Sequence, residues 1–295
     1  DADRERAGNM FVNLHIGDFT LQAAGASRRK YFPGLYLGQD FVDPRNYGQD
    51  SRGYVDLSYN RSFNETLDVT ARVYLDRYQF DGLNPYLGAN PGESVVSREF
   101  ANGAWWGGEF VVNKRVLSRN LITAGADFRL SPIITLQTYD ENPYASFANT
   151  RTSQNNQGVF LQDEIQIFRN FRAYGGVRLD HYSTFGNTFN PRAGLIFQPT
   201  KQSAIKLLHG QAFRAPNQYE MNYTTVTYRP NPDLRPERVK TTELVWEQYI
   251  RERFRVSAAG FVSRISDLID QFAFDNDSYV QYLNSGAYLS RGLEF

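Results

Sequence analysis

The feature that most constrains this chain is a period-two alternation sustained over segments longer than an ordinary strand. In 53–63, Val55, Leu57, Tyr59 and Phe63 share one parity, and Tyr54, Asp56, Ser58, Asn60 and Ser62 the other. In 67–79, Leu67, Val69, Ala71, Val73 and Leu75 oppose Asp68, Thr70, Arg72, Tyr74 and Asp76. Residues 121–130 set Ile122, Ala124, Ala126, Phe128 and Leu130 against Thr123, Asp127 and Arg129, and 171–182 set Phe171, Ala173, Val177 and Leu179 against Arg172, Tyr174, Arg178 and Asp180. Successive strand side chains point to opposite faces, so each segment is a strand with one greasy and one polar face. These runs of about 11–14 residues exceed the usual 5–6. They suit a tilted membrane crossing, about 9–11 residues, that continues into water.

The connections are sorted by length. Short ones are 17–18, 64–66, 118–120, 169–170, 200–202 and 251–253; between them fall 31–50, 81–102, 131–156, 214–238 and 268–282, with 183–188 the one shorter member of the long set. Tight turns at one end and long loops at the other describe a bacterial barrel, with turns in the periplasm and loops outside. A soluble sandwich or propeller has no reason to sort its loops so. The fold class expected is therefore all-β, a transmembrane antiparallel barrel: six hairpins and a last strand near 287–295.

Composition agrees. No run approaches the roughly 18 apolar residues of a membrane helix. Half-apolar strands average out as polar, consistent with a mean hydropathy of −0.53 beside 15% aromatic residues. Basic and acidic residues balance at 32 each, which removes the electrostatic case for nucleic acid. There is no cysteine, hence no disulfide scaffold, thiol catalysis or cysteine-ligated metal.

The greasy parity carries a few charges. Arg61, Arg77 and Lys114 are expected near strand ends, where long side chains reach the interface. In Val159-Phe160-Leu161-Gln162-Asp163-Glu164-Ile165 either Asp163 or Glu164 must face outward, at about 2 kcal/mol if at the midplane and less near the rim, unless a bulge intervenes. The stretch 81–88, Asp-Gly-Leu-Asn-Pro-Tyr-Leu-Gly, reads as a loop of turn residues. Asp1 to Arg6 is a charged hexapeptide and no signal peptide, and an odd strand count leaves an open edge. The expectation is one barrel domain over 1–295, a piece of a larger barrel; the odd count also argues against Phe295 as a terminal assembly aromatic.

From 155 onward the sequence becomes specific. Phe213-Arg214-Ala215-Pro216, then Tyr219-Glu220, then Asn231-Pro232-Asp233-Leu234-Arg235-Pro236-Glu237 and Thr242-Glu243-Leu244 follow one another. Upstream stand Phe160-Leu161-Gln162-Asp163-Glu164, Gly175-Gly176-Val177-Arg178-Leu179-Asp180 and Asn190-Pro191-Arg192-Ala193-Gly194; downstream stand Asn284-Ser285-Gly286-Ala287 and Arg291-Gly292-Leu293-Glu294. This set resembles the barrel of TonB-dependent outer-membrane receptors, with their FRAP and NPxLxPE boxes. The resemblance is strong over 155–295 and poor in motifs before that.

The resemblance implies a barrel of about 22 strands, of which these thirteen are a part. It implies an N-terminal plug domain and the final strands outside this chain, outer-membrane lipid around it, and energy from the TonB-ExbB-ExbD complex. It implies uptake of a scarce ligand without covalent chemistry and without a resident cofactor or metal. A ferric siderophore is expected first, cobalamin or haem second. In haem receptors an iron-ligating histidine lies between the two boxes, and 217–230 has none; a passive porin lacks the boxes altogether.

Loop tyrosines are the candidate ligand contacts: Tyr36, Tyr47, Tyr86, Tyr139, Tyr144, Tyr219, Tyr223 and Tyr228. The box residues Phe213, Arg214, Pro216, Asn231, Pro232, Leu234, Pro236, Glu237 and Glu243 are expected to form a loop latch or meet the plug rather than touch ligand. Glu243 and Glu247 share the polar parity and are expected to face plug arginines. His15, His181 and His209 fall on separate strands and form no His-x-x-x-His pair or Ser/His/Asp set.

Overall fold

The protein is described by a computed structural model covering residues 3–33, 43–88, 90, 93–117, 119–225, 227–251, 254–274 and 278–295. Its strands are β1 (Glu5–Ile16), β2 (Phe19–Tyr31), β3 (Tyr47–Asn64), β4 (Leu67–Leu87), β5 (Ser94–Val116), β6 (Asn120–Asp140), β7 (Ala145–Phe168), β8 (Phe171–Tyr182), β9 (Gly186–Thr200) and β10 (Ser203–Arg214). After a one-turn helix α1 (Gln218–Asn222) come β11 (Tyr228–Arg229), β12 (Glu237–Ile250), β13 (Phe254–Ser266), β14 (Ile269–Phe274), β15 (Tyr279–Asn284) and β16 (Tyr288–Glu294). Thirteen strands form one antiparallel up-and-down sheet in the order β1 to β10, β12, β13, β16. Its edges β1 and β16 are not paired with one another.

The sheet is inside out relative to a water-soluble domain. Val73 and Leu75 are each 57% exposed, while Asp56, Asp76 and Asp180 between such residues are buried. Among the described residues no second protein layer covers the greasy face. On the other face, arginine and aspartate pair: Arg52 to Asp76 and Arg72 to Asp56 between β3 and β4 at 2.5 Å, and Arg178 to Asp180 on its own strand (2.6 Å) and to Asp127 two strands away (2.8 Å). Arg129 lies over the Trp105 ring on the same side. Gly107 stands opposite Tyr74 in the register, where a Cβ would run into the tyrosine hydroxyl.

All six short turns lie where the alternation ends. Gly17 takes φ +58° at the first of them, a left-handed backbone that costs glycine nothing. Leu117 and Arg251 open two others with φ of 51° and 49°, against their steric preference. Phe19, Phe63, Phe168 and Phe254 flank the turns, each at least half exposed, as an aromatic girdle requires.

One expectation needs correction. The strands on the long-loop side are longer than 11–14 residues: β4 to β7 run 21–24 residues. The stretch 81–87 belongs to β4, and the connections after β4 and β6 shrink to 88–93 and 141–144. Turn-forming residues there are outvoted by the ladder. Gly82 and Asn84 pair with Glu99 and Ser97, and continuing the hairpin satisfies backbone groups that a loop would leave to water. Of the alternatives at Asp163 and Glu164, it is Asp163 that faces outward. It keeps the outward parity with no bulge, opposite Ile122, and Asn120 donates to it at 2.8 Å beside the short turn, so the rim position is what makes it tolerable. Glu164 faces inward and pairs with Arg172.

The three outward cations singled out from the sequence find partners. Arg61 reaches Asp18 (3.3 Å), Arg77 donates to Asn102 and Lys114 to Thr66 Oγ1. Arg77 is mid-strand because β4 continues past the greasy band.

Candidate ligand-binding site and loop latch

The connections 215–236 and 267–287 fold together rather than separately. β11 runs parallel to β15, which pairs antiparallel with β14, giving a three-stranded sheet outside the main one. Beneath it Met221, Leu234 and Ile269 form a small core with Tyr282 packed against it. Leu234, from the second box, is 2% exposed. Asn231 donates its side-chain amide to the Tyr282 carbonyl (2.8 Å), and its backbone N–H to the Met221 carbonyl (2.9 Å). Asn284 accepts from the Arg235 N–H and donates to the Arg235 and Asp267 carbonyls, while Arg235 pairs with Asp267 at 2.6 Å.

Arg214 is the hub of this cap. Its guanidinium forks onto Glu237 (2.6 and 2.7 Å) and also donates to Glu220 (2.9 and 3.0 Å). Glu237 also accepts the Ile269 N–H at 2.8 Å. Glu220 closes a capping box with Asn217 that holds α1. The end of β10, the start of β12, α1 and β14 thus meet on one cation. Hydrogen bonds from Arg214 hold the Glu237 carboxyl below the usual range against the opposing effect of burial, and the Ile269 amide adds to them. Phe213 packs edge-on against Tyr182 and Phe185.

Inward of the cap the tyrosines gather. Tyr219 and Tyr223 stack with centroids 4.1 Å apart; Tyr282 and Tyr228 meet them edge-on at 6.3 and 5.4 Å. The Tyr223 hydroxyl donates to Glu99 on β5 (2.9 Å), and Gln218 bonds Thr152 and Gln154 on β7. Those strands lie several places round the sheet from β10, so the connection folds inward across the concave side. Gln271 donates to the hydroxyls of Tyr282 and Tyr228. Burial pushes the Tyr219 and Tyr223 phenols well above their ordinary range; the Glu99 charge reinforces this at Tyr223. The result is a rigid, neutral aromatic surface with hydrogen-bonding edges.

The other expected contacts divide by face. Tyr86 takes the inner parity and donates to buried Asp140 (2.6 Å); burial first and that bond second push its pKa up to about 12. Tyr47 and Tyr139 have the parity of the greasy residues: Tyr47 donates to Asp81 and lies under Arg29, and Tyr139 packs on Tyr144, which is 73% exposed. These four do not join the cluster. Tyr36 lies outside the described residues. Pro216, Pro232 and Pro236 fall in the connection, and Glu243 faces inward with no ion-pair partner among the described residues. Glu247 is bridged by Lys206 (2.8 Å) and Arg255 (2.5 Å) of the wall itself, so an outside arginine is not needed to neutralise it.

Glu99, Gln271 and Tyr282 belong to the cluster and escaped the sequence reading. The aromatic-flanked Asp-Asn-Asp-Ser at 275–278 is a hairpin signal that announces β14 and β15, and with them Tyr282. Glu99 has no local signal. His181 and His209 sit on the outer parity and His15 on the inner, each hydrogen-bonded across to Asn187, Thr242 and Thr20 respectively. Among the described residues no cluster suited to a metal ion occurs. A hollow of about 800 Å³ lies away from the tyrosines, mostly on the outer face, where Ala71, Gly108 and Ala126 leave room between Phe110, Phe128 and Val159.

A greasy outside, a charged inside, tight turns at one rim and a folded cap at the other define the wall of a transmembrane β-barrel receptor. The chain belongs to the TonB-dependent receptor family: the family model for "TonB dependent receptor-like, beta-barrel" matches residues 6–295. No curated protein matches by sequence. The fold is similar to that of a variant of the ferric enterobactin receptor PfeA from Pseudomonas aeruginosa, with TM-score 0.70 and 16% identity over 99% of this chain and 49% of that one. It is also similar to the siderophore receptor PirA from Acinetobacter baumannii (TM-score 0.66, 14% identity, 99% and 50% covered) and to the RagAB peptide transporter (0.68, 12%, 98% and 43%). The chain spans about half the length of these structures or less.

Proposed function

We propose that this wall belongs to a bacterial outer-membrane receptor that imports a ferric siderophore by TonB-dependent active transport. The observation that carries the reading is the cluster of Tyr219, Tyr223, Tyr228 and Tyr282, locked by Arg214 to the wall and turned inward. Flat phenol faces and hydroxyl edges suit an aromatic, multiply hydrogen-bonding chelate. The cluster holds no histidine, which favours a chelate over haem. Two of the similar folds are siderophore receptors by name, which supports the ligand class without fixing it. Loops capture the ligand, a plug domain closes the lumen, and the TonB-ExbB-ExbD complex moves the plug; Glu243 is the wall residue proposed to meet it. No bond of the ligand is made or broken by this wall.

The test is a binding and uptake screen of the full-length receptor against ferric siderophores, cobalamin, haem and a mixed peptide pool. Saturable binding of a ferric siderophore, with uptake abolished when the proton-motive force is collapsed, is expected. Uptake that persists without that force would make it a passive channel, and saturable binding of another class alone would replace the ligand.

A further inference from the structure

At one corner of the wall, cations stand on the greasy parity with no counter-charge. The outward residues of β12 descend as Arg238, Lys240, Thr242, Leu244 and Trp246. Lys240 is the direct cross-strand partner of Arg264, and Thr242 is that of Val262, which in turn pairs with Arg291 on β16. Arg238, Lys240, Arg264 and Arg291 are all exposed, and none has an ion pair or hydrogen bond among the described residues. Cross-strand neighbours lie about 5 Å apart and same-face residues along a strand about 7 Å. Four positive charges therefore crowd one patch, and like charges placed directly opposite repel. Other cations on this face are paired, Arg61 with Asp18 and Arg98 with Glu141 and Asp81, and none of those stands in a cluster of four.

Height and surroundings say what the missing partner is. Lys240 stands ten residues above the end of β12 at Ile250; at about 3.3 Å per residue and a tilt near 40° that is roughly 25 Å, the height of a barrel's apolar band. The cations therefore lie at the external rim. Immediately below them Leu244 (56%) and Trp246 (42%) are bare. Guanidinium forks above and exposed apolar side chains below complement a molecule with phosphates at its head and acyl chains beneath.

We propose that Arg238, Lys240, Arg264 and Arg291 form a binding site for a phosphate-bearing lipid of the outer leaflet. The site rests on which face meets the membrane and is independent of the imported ligand. The experiment is native mass spectrometry of the full-length receptor offered bis-phosphorylated lipid A, its dephosphorylated form and phosphatidylcholine. The phosphorylated lipid should be retained about tenfold or more over the other two. K240Q/R264Q/R291Q should bring retention down to the dephosphorylated level, while the charge-preserving K240R/R264K should keep it. Folding is checked by heat-modifiable migration, and if the triple variant does not assemble, R238Q/K240Q is read instead. Equal retention of all three lipids, undiminished retention by a folded glutamine variant, or displacement of the lipid by inorganic phosphate at about 10 mM, which would mark a free-anion site, each overturns the proposal.

Discussion

Leu234 and Leu244 are ten residues apart in the chain and live in opposite worlds: the first is 2% exposed under the cap, the second 56% exposed on the wall. The cap is a miniature water-soluble domain, with a core of Met221, Leu234 and Ile269 and its polar groups outside. The wall reverses that arrangement and places Asp56, Asp76 and Asp180 where a soluble sheet would put leucine. One chain thus uses apolar burial twice, against protein in the cap and against lipid in the wall. Only the second use needs a membrane.

The strongest way to break this contrast is a charge on the greasy parity. Val177→Arg, midway along β8, should cost about 2–4 kcal/mol and impair assembly of the full-length receptor, read by heat-modifiable migration. The same substitution at Gly175's inward neighbour Tyr174 should assemble normally. Next, Leu234→Ala should loosen the cap by about 2 kcal/mol, the lower end for a buried leucine because the core is small. Limited proteolysis should then cut within 215–236 while the wall's assembly is unchanged. If both regions respond together, cap and wall are one cooperative unit and the comparison fails.

The period of two made the wall legible, because half-apolar strands and short turns leave few alternatives. Thirteen strands, their order and the facing of residues such as Val177 and Arg178 follow from it. What escaped was decided by distant partners. The extension of β4 through Gly82 and Asn84 depends on Glu99 and Ser97, not on the turn residues themselves. The site was half legible. Arg214 and Glu237 stand out as motif residues, and the tyrosines by type. Which tyrosines converge depends on strand parity above the membrane, and this sends Tyr47 and Tyr139 outward and brings Tyr223 to Glu99.

Smaller effects sharpen the cap's electrostatics. Glu237 is held below the ordinary carboxyl range by Arg214, so the latch is at full strength above the unfolded value near 4.3 and weakens as pH falls through the lowered one. The solvent-exposed Arg214 limits this to about 1 kcal/mol. Amide exchange at Ile269, whose N–H Glu237 accepts, should quicken on acidification before the wall amides do. At the alkaline end the sign reverses. Tyr86, Tyr219 and Tyr223 have raised pKa values, so their contribution is complete below about 10 and lost as pH climbs through the folded values, about 12 for Tyr86. Phenolate absorbance of Tyr223→Phe should lose a late-titrating component; loss of an ordinary one would contradict the buried cluster.

The most direct test uses spin labels on single cysteines introduced into this chain, which has none of its own, with any cysteine elsewhere in the receptor replaced by serine. Labels placed one at a time from 172 to 180 on β8 of the full-length receptor in a bilayer should show collision with dissolved oxygen peaking at 173, 175, 177 and 179 and falling at the even positions. Peaks at the even positions, or no alternation at all, would contradict a wall that turns Val177 and Leu179 to lipid and Arg178 and Asp180 to the lumen.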